Sequence, residues 1–484
     1  MAIRYPSSPD FSAPYSLAAL GRSIFKAVGA ERPSTFNLNY WATKLMTWSM
    51  SDPEFKVNLF RLVDVLPQLR SRAAVSRHVS EYLGTSLIKL PGIEGLGSLL
   101  RWGLSAPPYS LRAQLVAHIV KRSVEQMAGL FIAGETPSDA IPALRRLRAQ
   151  GLAFTVDLLG EFSLSEREAN VYVERYIEAL EVLGKSKDTW PEAGPLVSGH
   201  PGEASPVCVS VKLTALYSQC SPLNFDRSVD VLSEKLSQIV RKAREVKAQV
   251  YIDAEDSGNN PIIYAVFKKV FGSSEFKDLP FPGAVVQAYS KSSGELVEDL
   301  LAFSRARGVP IALRLVKGAY WDQETILAEQ NDWESPLFGH KQSSDANFEA
   351  LSRTLLDNHE HVLPAFGSHN VRSLTHACSY AYEKGLSHRD FELQMLFGMA
   401  EPIARAFAAL GHSKDGPLVR MYVPLGDMLV GMGYLVRRLL ENTSNESFLR
   451  HTFFDLSETE ELLSEPAMHP DDRMPPQPKV ANYV

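Results

Sequence analysis

The 484-residue chain is 45% hydrophobic and 22% charged, ordinary for a globular protein and long enough for one large core plus a smaller domain. Its net charge of −6, with no basic arm or Lys/Arg block, argues against nucleic-acid binding. Cys208, Cys220 and Cys378 are scattered, form no metal-ligand pair and suit a reducing, cytoplasmic setting; neither a secretory signal nor a membrane span of roughly 20 apolar residues is expected.

Residues 1–50 read as a loosely folded arm, its short helical runs interrupted by Pro6, Pro9, Pro14 and Pro33. Over 51–133 apolar residues recur at three- and four-residue steps, in FRLVDVLPQLRSRAAVSRHVSEYL and LRAQLVAHIVKRSVEQMAGLF, which predicts a helical domain. From 134 to 455 short β-branched runs alternate with amphipathic stretches. The runs fall at 152–160, 207–216, 249–256, 284–290, 311–318, 362–370, 391–399 and 419–426. About eight strand–helix units predict an α/β fold, a closed (βα)8 TIM barrel rather than an open doubly wound sheet. Gly95-Leu-Gly97 and Gly431-Met-Gly433 lack the third glycine and the preceding strand of a dinucleotide fingerprint. Residues 456–484 read as an extended, Pro-rich tail.

A barrel of this kind places its active groups at the carboxyl ends of the strands. Those ends carry Asp157 and Glu161, Lys212, Asp253 with Glu255, Gln287, Arg314 with Lys317, His369 with Asn370, and Tyr422. Charges at the mouths of apolar strands are costly to desolvate unless paired or bound to ligand. Any one of them alone is best read as a structural ion pair; all of them on one rim point to a ligand site. In Arg314-Leu-Val-Lys317-Gly318-Ala-Tyr320-Trp321 the glycine permits a bend and close backbone approach to a planar ligand. Two cations beside two aromatic residues suit an anionic ring system or a pyrophosphate, although Tyr320 and Trp321 can equally begin the next helix.

A further run, Tyr434-Leu-Val-Arg437-Arg438-Leu-Leu-Glu441-Asn442, sets adjacent arginines in an apolar helical stretch. Glu441 follows Arg437 by four and Arg438 by three, so these side chains share a helix face or its edge. Guanidinium forks clamp carboxylates. Alone, the run also fits a solvated Arg–Glu surface pair.

Together these segments resemble proline dehydrogenase, most closely the proline dehydrogenase half of bacterial proline utilization A. The segments are Val-Ser-Val-Lys212, Asp253-Ala-Glu255-Asp, Val-Gln287-Ala-Tyr, Arg314-Leu-Val-Lys-Gly-Ala-Tyr-Trp-Asp322, Gly367-Ser-His-Asn370, Gln394-Met-Leu-Phe-Gly-Met, Tyr422-Val-Pro-Leu-Gly and the Tyr434–Asn442 run. Gly134-Glu-Thr136 and Asp157-Leu-Leu-Gly-Glu161 extend the likeness ahead of the barrel. The resemblance implies a distorted barrel whose last helix lies over its C-terminal face, preceded by an α-helical arm or domain. It implies FAD as cofactor, and oxidation of L-proline to Δ1-pyrroline-5-carboxylate. Electrons would pass to a membrane quinone, with peripheral association at the inner membrane. It assigns Lys212, Asp253 and Arg314 to catalysis. Arg437, Arg438 and Lys212 would grip the substrate carboxylate, Tyr320, Leu396, Tyr422 and Tyr434 would enclose its ring, and Glu161 would pair with Arg438 as a gate. Gln287, Arg314, Val316, Lys317, Gly318, Ala319, Trp321, Ser368, His369, Asn370 and Glu441 would hold FAD, and no metal is implied. The segment Ser343-Ser-Asp-Ala-Asn-Phe348 has Phe and Ser where the resemblance implies Tyr and Thr near the adenine end of FAD. No ribbon–helix–helix segment is seen, and the chain ends before any aldehyde dehydrogenase module, which is expected as a fused or separate partner accepting the product.

Other classes remain open on the residues. A strand-end lysine, Lys212 or Lys317, can form a Schiff base, as in barrel aldolases, but needs a depressed pKa and leaves the paired arginines idle. A barrel that senses proline or a nucleotide without turnover is the non-enzyme alternative. A yellow protein with flavin bands separates the first reading from both.

Overall fold

The computed structural model describes residues 16–30, 53–87, 102, 106–107, 109–160, 162–190, 205–387, 389–399, 401–411, 417–427, 431 and 459–473. Its centre is a closed barrel of eight parallel strands in sequence order, β1 Ala153–Leu158, β2 Cys208–Val211, β3 Gln249–Ile252, β4 Gly283–Gln287, β5 Ile311–Val316, β6 Val362–Gly367, β7 Glu392–Leu396 and β8 Leu418–Leu425. β8 closes on β1 over the register Ala153↔Arg420 to Leu158↔Leu425. Six strands fall inside the runs read from the sequence, and β4 and β8 each begin one residue ahead of theirs.

Outward-facing side chains join the large apolar layer under the helices, where Phe154, Val156, Val209, Val211, Val286, Leu313, Leu315 and Phe366 are all buried. Period-two alternation then sends the intervening residues inward. Inside, Cys208, Tyr251, Val285, Ala312 and Leu363 form a small separate cluster. Below the mouth lies a fully buried ion pair: Arg420 donates from Nε at 2.9 Å and Nη2 at 2.9 Å to Glu392, and from Nη1 at 3.0 Å to the Phe154 carbonyl. A bidentate fork in so dry a place is stable only because its remaining donors also find oxygen.

Gly134-Glu-Thr136 opens the helix Pro137–Ala149, which Thr136 caps reciprocally with Asp139. Asp157, in contrast, does not lie ahead of the barrel; it is the fifth residue of β1. The period-two inward position of a barrel strand thus claims it.

The arm also differs from a loose chain. Leu17–Ala30 is a 14-residue helix whose Leu20, Ile24, Phe25 and Val28 are buried. It packs on the helices Val371–Glu383 and Glu401–Gly411, so the N-terminal segment is built into the barrel's outer layer. The expected helical region contains Pro53–Val65, Arg72–Leu87 and Leu111–Phe131. The described part of the tail, 459–473, folds back on this same side: Leu463 packs at Gly21, and Arg22 pairs with Glu460 at 2.7 Å. The expected lid helix lies outside the described residues. Among the described residues, no helix is long and apolar enough to cross a membrane.

Candidate active site

The carboxyl ends of β1, β2, β3, β5 and β8 converge on one charged cluster. Lys212, directly after β2, donates to Asp157 of β1, to Asp253 after β3 at 3.4 Å and to the Tyr422 hydroxyl of β8 at 3.1 Å. Tyr422 in turn donates to Asp253 at 2.6 Å. Arg314 of β5 reaches the other Asp253 oxygen at 2.8 Å and Ser210 at 3.1 Å, with its guanidinium 4.2 Å from the Tyr251 ring centroid. Gly283 makes room for that ring, which a Cβ there would overlap. All five groups of the cluster come from inward or strand-end positions, so the barrel's closure, not local sequence, brings them together.

The two carboxylates differ. Burial opposes ionisation of Asp253, but Lys212 and Arg314 outweigh it and hold Asp253 below the usual carboxylate range. Asp157 has one cation. Burial, opposed by Lys212 and reinforced by Asp253, pushes it up to about 6. Burial works against the Lys212 ammonium, yet Asp157, Tyr422 and Asp253 keep its pKa well above normal. A protonated amine of that kind is no Schiff-base nucleophile, which counts against Lys212 in the aldolase alternative.

β5 ends at Val316, and the chain then turns through Gly318 at φ +133°, with the Tyr289 ring where a Cβ would stand. Lys317 points away from Arg314 and pairs with Asp345 on the helix Lys341–Asp357. Burial, only partly offset by Asp345, lowers its pKa. Ala319 and Trp321 are exposed and Tyr320 half-buried; the Trp321 indole donates to the Phe338 carbonyl at 3.0 Å. Gln287 is locked by Asn260 at 2.9 Å and by the Glu255 carbonyl at 3.1 Å. After β6, the Ser368 hydroxyl accepts from the Asn370 amide at 3.1 Å, and Asn370 caps the next helix at Ser373. The His369 Nε2 accepts from the Leu396 amide at 3.0 Å, which puts the proton of the neutral ring on Nδ1.

Lys212, Asp253, Arg314 and Tyr422 are thus drawn into one cluster, and Gln287, Val316, Lys317, Gly318, Ala319, Tyr320, Trp321, Ser368, His369, Asn370 and Leu396 line the strand ends beside it. Glu161, Tyr434, Arg437, Arg438 and Glu441 lie outside the described residues. Sequence reasoning counted Asp157 only among the rim charges and gave no role to Ser210 or Tyr251, the contacts that fix Lys212 and Arg314. Their signal was inward position at period two, at the last-but-one residue of β1, β2 and β3. Glu255, read as a rim group, instead accepts from the Thr214 amide at 3.1 Å and holds the turn after β2.

A charged constellation at the carboxyl face of a closed parallel barrel is the arrangement of a (βα)8-barrel enzyme. A model of the family "Proline dehydrogenase" matches residues 140–451, and one for the "Proline utilization A N-terminal domain" matches 16–131. The chain belongs to the proline dehydrogenase family. The bifunctional protein PutA of Escherichia coli (strain K12) is 30% identical over 356 residues, which is 73% of this chain and 26% of that protein. Proline dehydrogenase 2 of Bacillus subtilis (strain 168) is 29% identical over 321 residues, 66% of this chain and 88% of that protein. Among solved structures, proline utilization A from Bdellovibrio bacteriovorus, inactivated by N-propargylglycine, aligns with a TM-score of 0.82 at 39% identity, over 93% of this chain and 43% of that one. The chain therefore spans about a quarter of the length of its bifunctional curated relatives.

Proposed function

We propose that this chain oxidises L-proline to Δ1-pyrroline-5-carboxylate with FAD as hydride acceptor, and that the electrons pass on to a membrane quinone. The observation that carries the reading is the Lys212–Asp253–Arg314–Tyr422 cluster at the mouth of a barrel whose sequence matches the proline dehydrogenase family. The residues present fit a flavin. Arg314 Nε is buried with no hydrogen-bond partner among the described residues, a cationic donor left open at the end of β5. Beside it, Gly318 bends the strand end at φ +133° with the Tyr289 ring packed where its Cβ would stand, a fixed turn whose open backbone face can lie against a flat ring. Gln287, Arg314, Val316, Lys317, Gly318, Ala319, Trp321, Ser368, His369 and Asn370 would hold it, with Glu441 joining them.

When bound, FAD supplies the two-electron acceptor that no side chain provides. The protein's part is then orientation and field. Lys212 would meet the substrate carboxylate together with Arg437 and Arg438, fixing the ring by a bidentate grip. Tyr422, tied to Asp253 and Lys212, would present its ring as a wall, with Tyr320, Leu396 and Tyr434 completing the enclosure. Glu161 would pair with Arg438 to gate entry. Arg314, anchored by Asp253 and Ser210, would sit where reduction accumulates negative charge, which a preorganised cation stabilises. Quinone contact requires approach to a membrane surface, and the product requires an aldehyde dehydrogenase, fused or separate.

The purified protein is expected to be yellow and to lose its flavin absorbance when L-proline is added without oxygen. Arg437→Met and Arg438→Met should each weaken proline binding by about 10-fold or more, the scale of a lost charged hydrogen bond. Unchanged proline affinity in both would remove the carboxylate clamp; a protein that proline never bleaches would remove the reaction.

A further inference from the structure

Asp157 and Asp253 share Lys212, and Tyr422 faces both, but only Asp253 has a second cation. Asp253 also accepts from Arg314 at 2.8 Å and Tyr422 at 2.6 Å, so both its oxygens are engaged. Asp157 is 1% exposed; its Oδ1 accepts from Lys212, and its buried Oδ2 has no hydrogen-bond partner among the described residues. The groups facing it are Lys212 from β2, Asp253 after β3, Tyr422 from β8, and Tyr172 and Tyr176 from the helix Glu166–Ser186. One cation, one anion and three phenols leave Asp157 the carboxylate of the pair that takes up a proton more readily. Asp253, braced by two cations, does not.

The chemistry assigned to the site needs such a group. A cyclic secondary amine arrives protonated, and a C–H bond beside a protonated nitrogen cannot leave as hydride, because no lone pair is free to form the C=N bond. One N–H bond must break first. Lys212 is a poor final acceptor, since its ammonium is retained, but it can pass one proton to Asp157 Oδ1 while taking one from the substrate nitrogen. The lysine ends as it began, Asp157 becomes a carboxylic acid, and the amine is neutral. The C–H electron pair then leaves as hydride while the nitrogen lone pair forms C=N.

We propose that Asp157 is the proton store of this site, receiving through Lys212 the proton that the substrate's ring nitrogen gives up before its C–H bond breaks. Asp157 acts through Lys212 and is a positioning residue. The proposal rests on the assignment of proline oxidation above.

The test uses the full chain with its flavin. Wild-type kcat/KM for L-proline, followed from about pH 5 to pH 9, should fall on the acid side with an inflection near 6, where Asp157 becomes protonated and can accept nothing. Asp157→Asn should lose that inflection and lower kcat/KM at neutral pH by about 100-fold or more. Asp157→Glu should restore an acid limb. Tetrahydro-2-furoic acid, the ring-oxygen analogue of proline, has no nitrogen proton to surrender. Its binding, read as a shift of the flavin spectrum, should be equal in wild type and Asp157→Asn. An Asn variant that keeps the acid limb, or that loses the oxygen analogue in step with turnover, overturns the proposal. Wild-type flavin that proline leaves unbleached overturns the reaction and the proposal with it. Bleaching in wild type with an unaltered limb in Asp157→Asn overturns the proposal alone.

Discussion

Gly318 follows β5 with φ +133°, a region that L side chains rarely adopt, and its missing Cβ is matched by the Tyr289 ring. That ring is not free to retreat. Its hydroxyl donates at 2.9 Å to Glu324, which is buried and also accepts from the Ser257 amide at 3.2 Å. An alanine at 318 therefore meets both backbone strain, about 1–3 kcal/mol, and a ring held at its far end. The strain falls on the turn that follows Val316 and Lys317, where the flavin is expected, and not on the barrel ladder. Gly318→Ala should fold with a near-normal circular dichroism spectrum and purify with a much reduced flavin-to-protein ratio. Full flavin content in a folded variant would show that the backbone at 318 does not face the cofactor. The motif around Gly318 was legible in the sequence because glycine, two cations and two aromatics sit within eight residues. Tyr289 and Glu324 were not, because the contact spans two βα loops that only the closed barrel makes neighbours.

At the scale of the strands, β7 and β8 carry an ion pair sealed inside the barrel. Arg420 and Glu392 are 1% and 0% exposed, and the Gln394 amide also donates to Glu392. Removing one partner leaves an uncompensated buried charge, so Glu392→Ala should cost about 3–5 kcal/mol. Replacing both, as Glu392→Leu with Arg420→Met, removes the desolvation penalty along with the attraction and should recover most of that loss. Urea unfolding of the two singles and the double measures the coupling; a double as unstable as the sum of the singles would contradict it. The eight strands themselves could be read from the sequence, as short apolar runs alternating with amphipathic stretches. Which interior groups pair could not. Alternation tells which face a residue takes but not the register between neighbouring strands, so nothing in the sequence pairs Glu392 of β7 with Arg420 of β8, 28 positions on. The helix Leu17–Ala30 within the arm was under-read for a different reason. Prolines placed before a helix start it as readily as they break one, and Pro14 precedes a run whose Leu20, Ile24 and Val28 recur at four-residue steps.

Across the molecule, the two ends of the described chain are fastened to the same flank of the barrel. The helix Leu17–Ala30 lies on the helices Val371–Glu383 and Glu401–Gly411, and Arg372, held by Glu349 at 2.8 Å, donates to the Leu463 carbonyl at 2.7 Å. Farther on, Asp472 reaches the start of the helix Lys341–Asp357. It accepts from the Gly339 amide at 2.7 Å, the His340 amide at 3.0 Å and the Ser343 hydroxyl at 2.7 Å. His340, the N-cap residue, makes no side-chain cap of its own, so the tail supplies in trans the carboxylate that helix N-termini favour. Burial opposes ionisation of Asp472, but Ser343, Gly339 and His340 outweigh it and lower its pKa. For a depressed carboxylate the sign is fixed: its stabilisation is complete above the unfolded value of about 3.9 and is lost as pH falls through the lower folded one. The same helix bears Asp345, the partner of Lys317, so loosening its first turn should be felt at the strand end where the flavin is expected. Asp472→Ala should therefore cost about 1–2 kcal/mol at neutral pH, the scale of a lost cap. Its amides at Gly339 and His340 should exchange with deuterium faster than in wild type, and the wild-type advantage in melting temperature should shrink as the pH is lowered toward 3. Equal protection of those amides in the two proteins at neutral pH would mean that the helix start does not depend on the tail.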